Sequence, residues 1–177
     1  MNASGLIDLV TEEPEWDRAL PGLAGVAETA ARLALEAARL RAEDWEVAVL
    51  ACSDARIAEL NREFRGMGTP TNVLSWPAFD LAPGCAGGMP RRPPPAAEGL
   101  RRSLGDVAIA LQTIRREAAE RSIPLKDHVT HLILHGCLHL LGFDHGAGPD
   151  ADLMEGIETR ALARIGVADP HSGGGAA

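Results

Sequence analysis

A chain of 177 residues with 46% hydrophobic content can bury one sizeable core and leaves little room for a second domain. The formal net charge of −8 sits awkwardly with nucleic-acid binding, which ordinarily leaves a basic footprint, while Cys52, Cys85 and Cys137 lack disulfide spacing and favour a reducing cytoplasm. The start, Met1-Asn2-Ala3-Ser4-Gly5, has no basic region followed by an apolar stretch, and no apolar run approaches the ~20 residues that cross a bilayer, so a soluble cytoplasmic protein is expected, with no signal peptide and no membrane partner.

Gly5 to Val10 reads as a first strand, and Pro14 and Pro21 punctuate the stretch after it. From about Gly25 to Arg41, Val26, Ala30, Leu33, Ala37 and Leu40 recur at helical spacing. Trp45 to Cys52 is a second strand. Ser53 suits the N-cap of a helix whose Ile57, Leu60, Asn61 and Phe64 fall on one face, with Gly66 and Gly68 ending it. Asn72 to Trp76 reads as a third strand, stopped by Pro77. Residues 78–102, rich in Pro and Gly, predict a mobile loop between two paired strands, the second of them Leu104 to Ala110. A short helix spans about Leu111 to Arg121. Pro124 then opens a histidine-bearing helix, apolar around much of its girth through Leu125, Val129, Leu132, Ile133 and Leu141, and therefore central. A last helix runs from about Ala151 to Ile165, ended by Gly166. Residues 169–177, with a lone His171, read as a disordered tail behind a single domain of residues 1–168. The pattern predicts an α+β, zincin-like fold: a small mixed sheet of about four strands packed on the central helix, with other helices around it.

The most informative run is His135-Gly136-Cys137-Leu138-His139-Leu140-Leu141-Gly142-Phe143-Asp144-His145. Histidines four apart on a helix project from one face about 6 Å apart along the axis, close enough to share one ion. Gly142 can end the helix and let the chain double back, so that His145 arrives from a new direction. Three neutral nitrogen ligands with a fourth position open is how catalytic zinc is held. Cys137 points away from the ligands and reads as core. His128, His131, His135 and His139 share an arc of about 80°, so His131/His135 is a competing pair. His135/His139 is preferred because only these two stand at the end that Gly142 turns back over; His131 supports a ligand from behind or simply packs.

Metzincin peptidases carry His-Glu-x-x-His-x-x-Gly-x-x-His, with the Glu as general base. This chain has the spacing and the glycine but Gly136 in place of that Glu, which argues against amide hydrolysis. An ion that lowers the pKa of its bound water to roughly 7 still suits substrates whose main need is charge neutralisation, such as phosphodiesters. Charge distribution bears on this. Acidic residues gather near the N-terminus (Glu12, Glu13, Glu15, Asp17) and in the last helix (Asp150, Asp152, Glu155, Glu158), with arginine pairs between them at 62/65, 91/92, 101/102 and 115/116. A local positive groove on an acidic body is compatible with this arrangement.

Three blocks resemble the YbeY family of bacterial endoribonucleases: Leu60-Asn61-Arg62-Glu63-Phe64-Arg65 leading into Thr69-Pro70-Thr71-Asn72-Val73-Leu74-Ser75-Trp76-Pro77; Leu104-Gly105-Asp106-Val107; and His131-Leu132 through His145. The family pattern has Asp and Phe where this chain has Asn72 and Trp76. The resemblance implies a zinc-dependent, single-strand-preferring endoribonuclease acting in small-subunit rRNA 3′-end maturation and ribosome quality control. It implies one Zn2+ per chain on His135, His139 and His145, with Arg65 as the functionally important arginine near the metal. The partners it implies are rRNA precursor, the small ribosomal subunit and assembly factors including an Era-type GTPase. On chemistry alone, Arg65 could grip a phosphate through two bonds or merely complement a helix dipole. Asp106 and Asp144 could each orient an imidazole or serve a turn. The nucleophile stays open between water and the ribose 2′-hydroxyl. The competing readings are a non-catalytic, metal-stabilised ribosome-assembly factor and, behind it, a metallopeptidase.

Overall fold

The computed structural model describes residues 5–146 and 148–172. In chain order the elements are β1 (Ile7–Thr11), α1 (Glu15–Ala19), α2 (Leu23–Ala37), β2 (Trp45–Cys52), α3 (Asp54–Arg65), β3 (Val73–Pro77), β4 (Arg102–Ala110), α4 (Leu111–Glu120), α5 (Leu125–Leu140) and α6 (Gly148–Ala163), with a short 3-10 turn at Ala42–Asp44. The sheet order is β1-β2-β4-β3; β1, β2 and β4 run parallel, and β3 pairs antiparallel to β4 with Val73 opposite Ile109 and Trp76 opposite Asp106. This is the mixed four-stranded α+β arrangement that the sequence predicts. The loop does join two paired strands, and β3 is left as an edge.

Alternation places the layers. In β2, Val47, Val49 and Ala51 turn to the main core, joined by Val107 and Ile109 of β4, and α5 and α2 cover this face. On the other face Cys52, Leu74, Ala108 and Ala110 pack with Ile57 of α3. The alanines of α2 (Ala27, Ala30, Ala31, Ala34) are buried, and their small side chains let α2 approach α5 closely. α5 buries Val129, Ile133, Leu134, Leu138 and Leu140 completely, as its all-round apolar character requires. Cys137 is core, and burial pushes its thiol up to about 12.

The helix ends bring the site together. The Ser53 hydroxyl accepts the Arg56 N–H at 3.2 Å as an N-cap, and Gly66 closes α3 in the left-handed region at φ 71°, leaving Arg65 on its last turn. At the end of α5 the Phe143 N–H reaches back to the Leu138 carbonyl at 3.0 Å while Gly142 sits at φ +88°. A Cβ on Gly142 would stand 2.7 Å from the Leu81 carbonyl oxygen, so the turn needs glycine both for its conformation and for its closeness to the loop.

Several details differ from the sequence reading. α1 is too short to show a period, yet its Trp16 is fully buried and donates its indole N–H to the Cys52 carbonyl at 3.1 Å. α2 stops at Ala37, and α6 begins at Gly148 rather than Ala151. Asp169–Ser172, read as part of a disordered tail, is fastened: Thr159 donates to Asp169 at 2.9 Å, and Arg121 donates to the Pro170 carbonyl at 2.7 Å. Residues 173–177 of that tail lie outside the described residues. Residues 78–101 carry no regular structure but are tied by Gly87 N–H to Asp150 (2.6 Å), Arg91 N–H to Leu81 O (2.9 Å) and Arg92 to Arg39 O (3.2 Å). Among the described residues no helix is long and apolar enough to cross a membrane.

Replacing Gly142 with Ala forces an L side chain into the left-handed region against the Leu81 backbone. Gly142→Ala is therefore expected to destabilise the protein by about 2 kcal/mol or more, read as a lower urea midpoint at unchanged slope.

Candidate metal centre

His135 and His139, one turn apart on α5, point to the same side at its C-terminal end, and the turn at Gly142 returns His145 to them. Ring centroids lie 4.6 Å apart for His135/His139, 5.2 Å for His135/His145 and 5.0 Å for His139/His145. One ligand nitrogen from each ring falls within 4.8 Å of the others. The three line a cleft of about 600 Å³ with Arg65, Ser75 and Asp144, walled by β3, the start of the loop and the end of α5.

The hydrogen bonds decide which nitrogens face the cleft. His139 Nδ1 lies 3.0 Å from the Phe143 carbonyl oxygen, which only accepts, so Nδ1 carries the proton. His135 Nδ1 lies 2.6 Å from Glu158 Oε1. Burial on its own opposes ionisation of Glu158, but hydrogen bonds from His131 and His135 outweigh it and hold the carboxyl well below its usual range, so His135 Nδ1 is also the donor. With both Nδ1 atoms committed, the two Nε2 atoms face one another, 3.0 Å apart. A proton or a metal ion between the two nitrogens satisfies this contact, and the donor set of three imidazoles suits a zinc-like divalent ion. Burial, then the nearby His135 and His145, push His139 down to about 4, which keeps it neutral and available at physiological pH.

A second cluster, His131, Glu158 and His171, also brings ligand atoms within 4.8 Å. Here both Nε2 atoms address one oxygen, Glu158 Oε2, at 3.1 and 2.6 Å. His131 Nδ1 is buried without a partner. A metal on Nε2 would put the ring proton on Nδ1 and leave a buried donor unmet, whereas an Nε2–H donating to Glu158 leaves only a lone pair there. This cluster is a hydrogen-bonded brace, and the competing His131/His135 pairing is not assembled.

Glu158, counted in the sequence only among the acidic residues of the last helix, is the functional residue that sequence reasoning missed. It is 1% exposed and sits between three imidazoles. A signal was present: Met154, Ile157, Glu158, Ala161 and Leu162 form the buried stripe of α6, and a carboxylate on an apolar stripe needs partners. Asp144 braces the backbone of His145, accepting its N–H at 2.8 Å, rather than holding a ring. Asp106 is exposed and borders a groove with Phe64 and Trp76 away from the cleft. Arg65 lines the cleft. Asn72 donates to Glu117 at 3.0 and 3.2 Å, and Glu117 in turn takes His128 at 2.8 Å, so an aspartate at position 72 would face a like charge. At Gly136 a Cβ would already stand 2.9 Å from Val107 Cγ1, because this side of α5 packs on β4. The glutamate of a metzincin has no room there.

A mixed sheet backed by a buried helix whose last turn gathers three imidazoles into an open cleft is the architecture of a zincin-like metalloprotein. The model of the family described as "Endoribonuclease YbeY" matches residues 15–166. Among similar curated proteins, the endoribonuclease YbeY of Jannaschia sp. is 52% identical over 93% of this chain and 99% of its own. That of Dinoroseobacter shibae is 51% identical over 96% of this chain and 92% of its own. The solution structure of TM1509 from Thermotoga maritima shares the fold, with a TM-score of 0.50 at 19% identity over 96% of this chain and 99% of its own. The chain belongs to the YbeY family.

Two outcomes are expected at this centre. Glu158→Gln removes the charge that holds His135, and should weaken divalent-metal binding by about 10–100-fold in a competition titration against a chelating dye. His139 stays neutral in the fold down to about 4, whereas in the unfolded chain it takes a proton near the usual 6.5, so the unfolded state binds more protons between these values. Glu158, held low, adds a demand of the same sign below the usual carboxylate range. The thermal midpoint of metal-free protein should therefore fall steadily as pH is lowered from about 7 to about 4.

Proposed function

We propose that the protein is a metal-dependent endoribonuclease that carries one Zn2+ per chain on His135, His139 and His145 and cuts single-stranded RNA. The reading extends to the 3′ end of small-subunit rRNA precursor and to ribosome quality control in the cytoplasm, with the small subunit and assembly factors including an Era-type GTPase as partners. The observation that carries it is the pair of Nε2 atoms facing each other at 3.0 Å with both Nδ1 positions already committed. Membership of a family whose curated relatives are named endoribonucleases supports the choice of RNA.

When bound, a divalent ion supplies Lewis-acid stabilisation of phosphoryl oxygens and makes a nucleophile available near neutral pH. The residues of the chain do the rest. Glu158 and the Phe143 carbonyl hold two imidazoles in the required tautomer and orientation. Arg65, permanently charged and on the same cleft, grips the scissile phosphate and balances the charge that develops at phosphorus. No carboxylate follows the first histidine, so the usual arrangement for activating water against an amide is lacking, and phosphodiesters are favoured over peptides. Unpaired RNA suits an open cleft edged by β3, since splayed bases let the backbone reach a recessed centre.

Zinc-loaded protein is expected to cut a single-stranded oligoribonucleotide and to spare the same sequence in a duplex. His139→Ala or chelator should abolish the cut, and Arg65→Ala should slow it by about 10²–10³-fold with the metal content unchanged. Ends carrying a 2′,3′-cyclic phosphate and a 5′-hydroxyl would assign the ribose hydroxyl as nucleophile, and a 3′-hydroxyl with a 5′-phosphate would assign water. Metal-loaded protein that binds RNA and never cuts it would leave only the assembly-factor reading.

A further inference from the structure

Away from the metal cleft, Arg39, Arg92, Arg160 and Arg164 line a groove of about 620 Å³ where the end of α2, the face of α6 and the loop 78–101 meet. One acidic residue, Glu36, borders it, already paired with Arg164 at 2.7 Å. Arg39, Arg92 and Arg160 have no carboxylate partner among the described residues. On a chain of formal charge −8, three uncompensated guanidinium groups around one depression are a concentrated exception. The floor is apolar, with Leu33, Leu153 and Ile157.

The groove neighbours the metal cleft by way of a third depression. Leu153 borders both the groove and a smaller crevice of about 290 Å³, and that crevice shares Ala82, Gly142, Phe143 and Asp144 with the cleft. The three depressions lie in series, each sharing lining residues with the next. The middle one carries Asp144 and Asp150, which repel phosphate, so an anionic strand lying along the series is gripped at the two ends.

We propose that the arginine groove is a second phosphate-binding subsite, which holds the backbone of the same RNA strand at a distance from the cut. The inference rests on the endoribonuclease reading above. Guanidinium forks match phosphate oxygens bidentately, and an apolar floor accepts sugar and base faces. The subsite also explains how an acidic protein engages a polyanion: affinity comes from a local positive groove rather than from net charge. The loop that supplies Arg92 and Met89 gains a role as its wall.

The test uses full-length, zinc-loaded protein and the triple variant Arg39→Gln/Arg92→Gln/Arg160→Gln, which removes charge, keeps the side-chain stems and leaves the Glu36–Arg164 pair intact. Unpaired RNAs of about 5 and about 20 nucleotides are compared, the first too short to span the series. Binding of the long RNA should weaken about tenfold, with a slope of log affinity against log salt shallower by about 2, while the short RNA binds and is cut as by wild type. Equal behaviour of variant and wild type toward long RNA, or an unchanged salt slope, overturns the subsite. So does displacement of long RNA from wild type by poly-glutamate at equal concentration, which would assign the groove to an acidic protein. Should the triple variant fold poorly, Arg160→Gln alone decides, with a slope change of about 0.7. Wild type that binds long RNA in a groove-dependent way yet cuts nothing would sink the nuclease reading and leave the subsite standing. Wild type that cuts RNA with a silent triple variant would do the reverse, and no binding at all sinks both.

Discussion

Two imidazole Nε2 atoms held 3.0 Å apart are the constraint on which the rest of the molecule turns. The histidines cannot impose that arrangement themselves, since each ring is free to rotate its donor nitrogen inward. A fixed acceptor behind each ring prevents it. For His139 the acceptor is the Phe143 carbonyl, which exists in that place only because Gly142 breaks α5 in a left-handed conformation under Leu81. For His135 it is Glu158, which α6 carries into the core. The helix stop, the packing of α6 and the preparation of a cation site are thus one event described at three scales.

The same device recurs along α5. Its four histidines descend one face with neighbouring ring centroids 6.4, 6.1 and 4.6 Å apart, and each of the first three meets a carboxylate from a neighbouring helix: His128 with Glu117 of α4, His131 and His135 with Glu158 of α6. A buried carboxylate is costly when alone and tolerable when several N–H groups converge on it. Glu158 has three such donors, one of them His171 from beyond α6. The end of the chain is therefore stitched to the centre by the charge that orients it, and the stretch around Asp169–Ser172 has a physical reason to be ordered.

Charge is partitioned with similar economy. Of the arginine pairs that stand out in the sequence, most are spent on structure: Arg101 ties the Ala42 and Trp45 carbonyls, Arg102 covers the Phe79 ring at 4.8 Å, Arg115 meets Glu15 at 2.7 Å and Arg91 meets Asp80 at 3.5 Å. Arg65 and Arg92 are left facing depressions. The two exposed ion pairs among these contribute little to stability.

Much of this was legible in one dimension. Trp45–Cys52 alternates, Ser53 caps, Gly66 and Gly142 stop helices, and the spacing of His135, His139 and His145 around Gly142 encodes three converging rings, because each of these signals is local and rests on a period or a backbone angle. α1 escaped because five residues hold no period, and Trp16 declares its burial only against Cys52, far along the chain. Glu158 and His171 escaped for a deeper reason. A carboxylate on a helix is solvated by default, and only the packing of α6 on α5 decides that this one is surrounded by imidazoles. Residue order was enough to give the three histidines, their succession and the turn that gathers them. Which nitrogen of each ring faces the cleft, and which arginines stay uncompensated, emerged only in three dimensions, since tautomers and potentials depend on partners that folding alone brings within hydrogen-bonding distance.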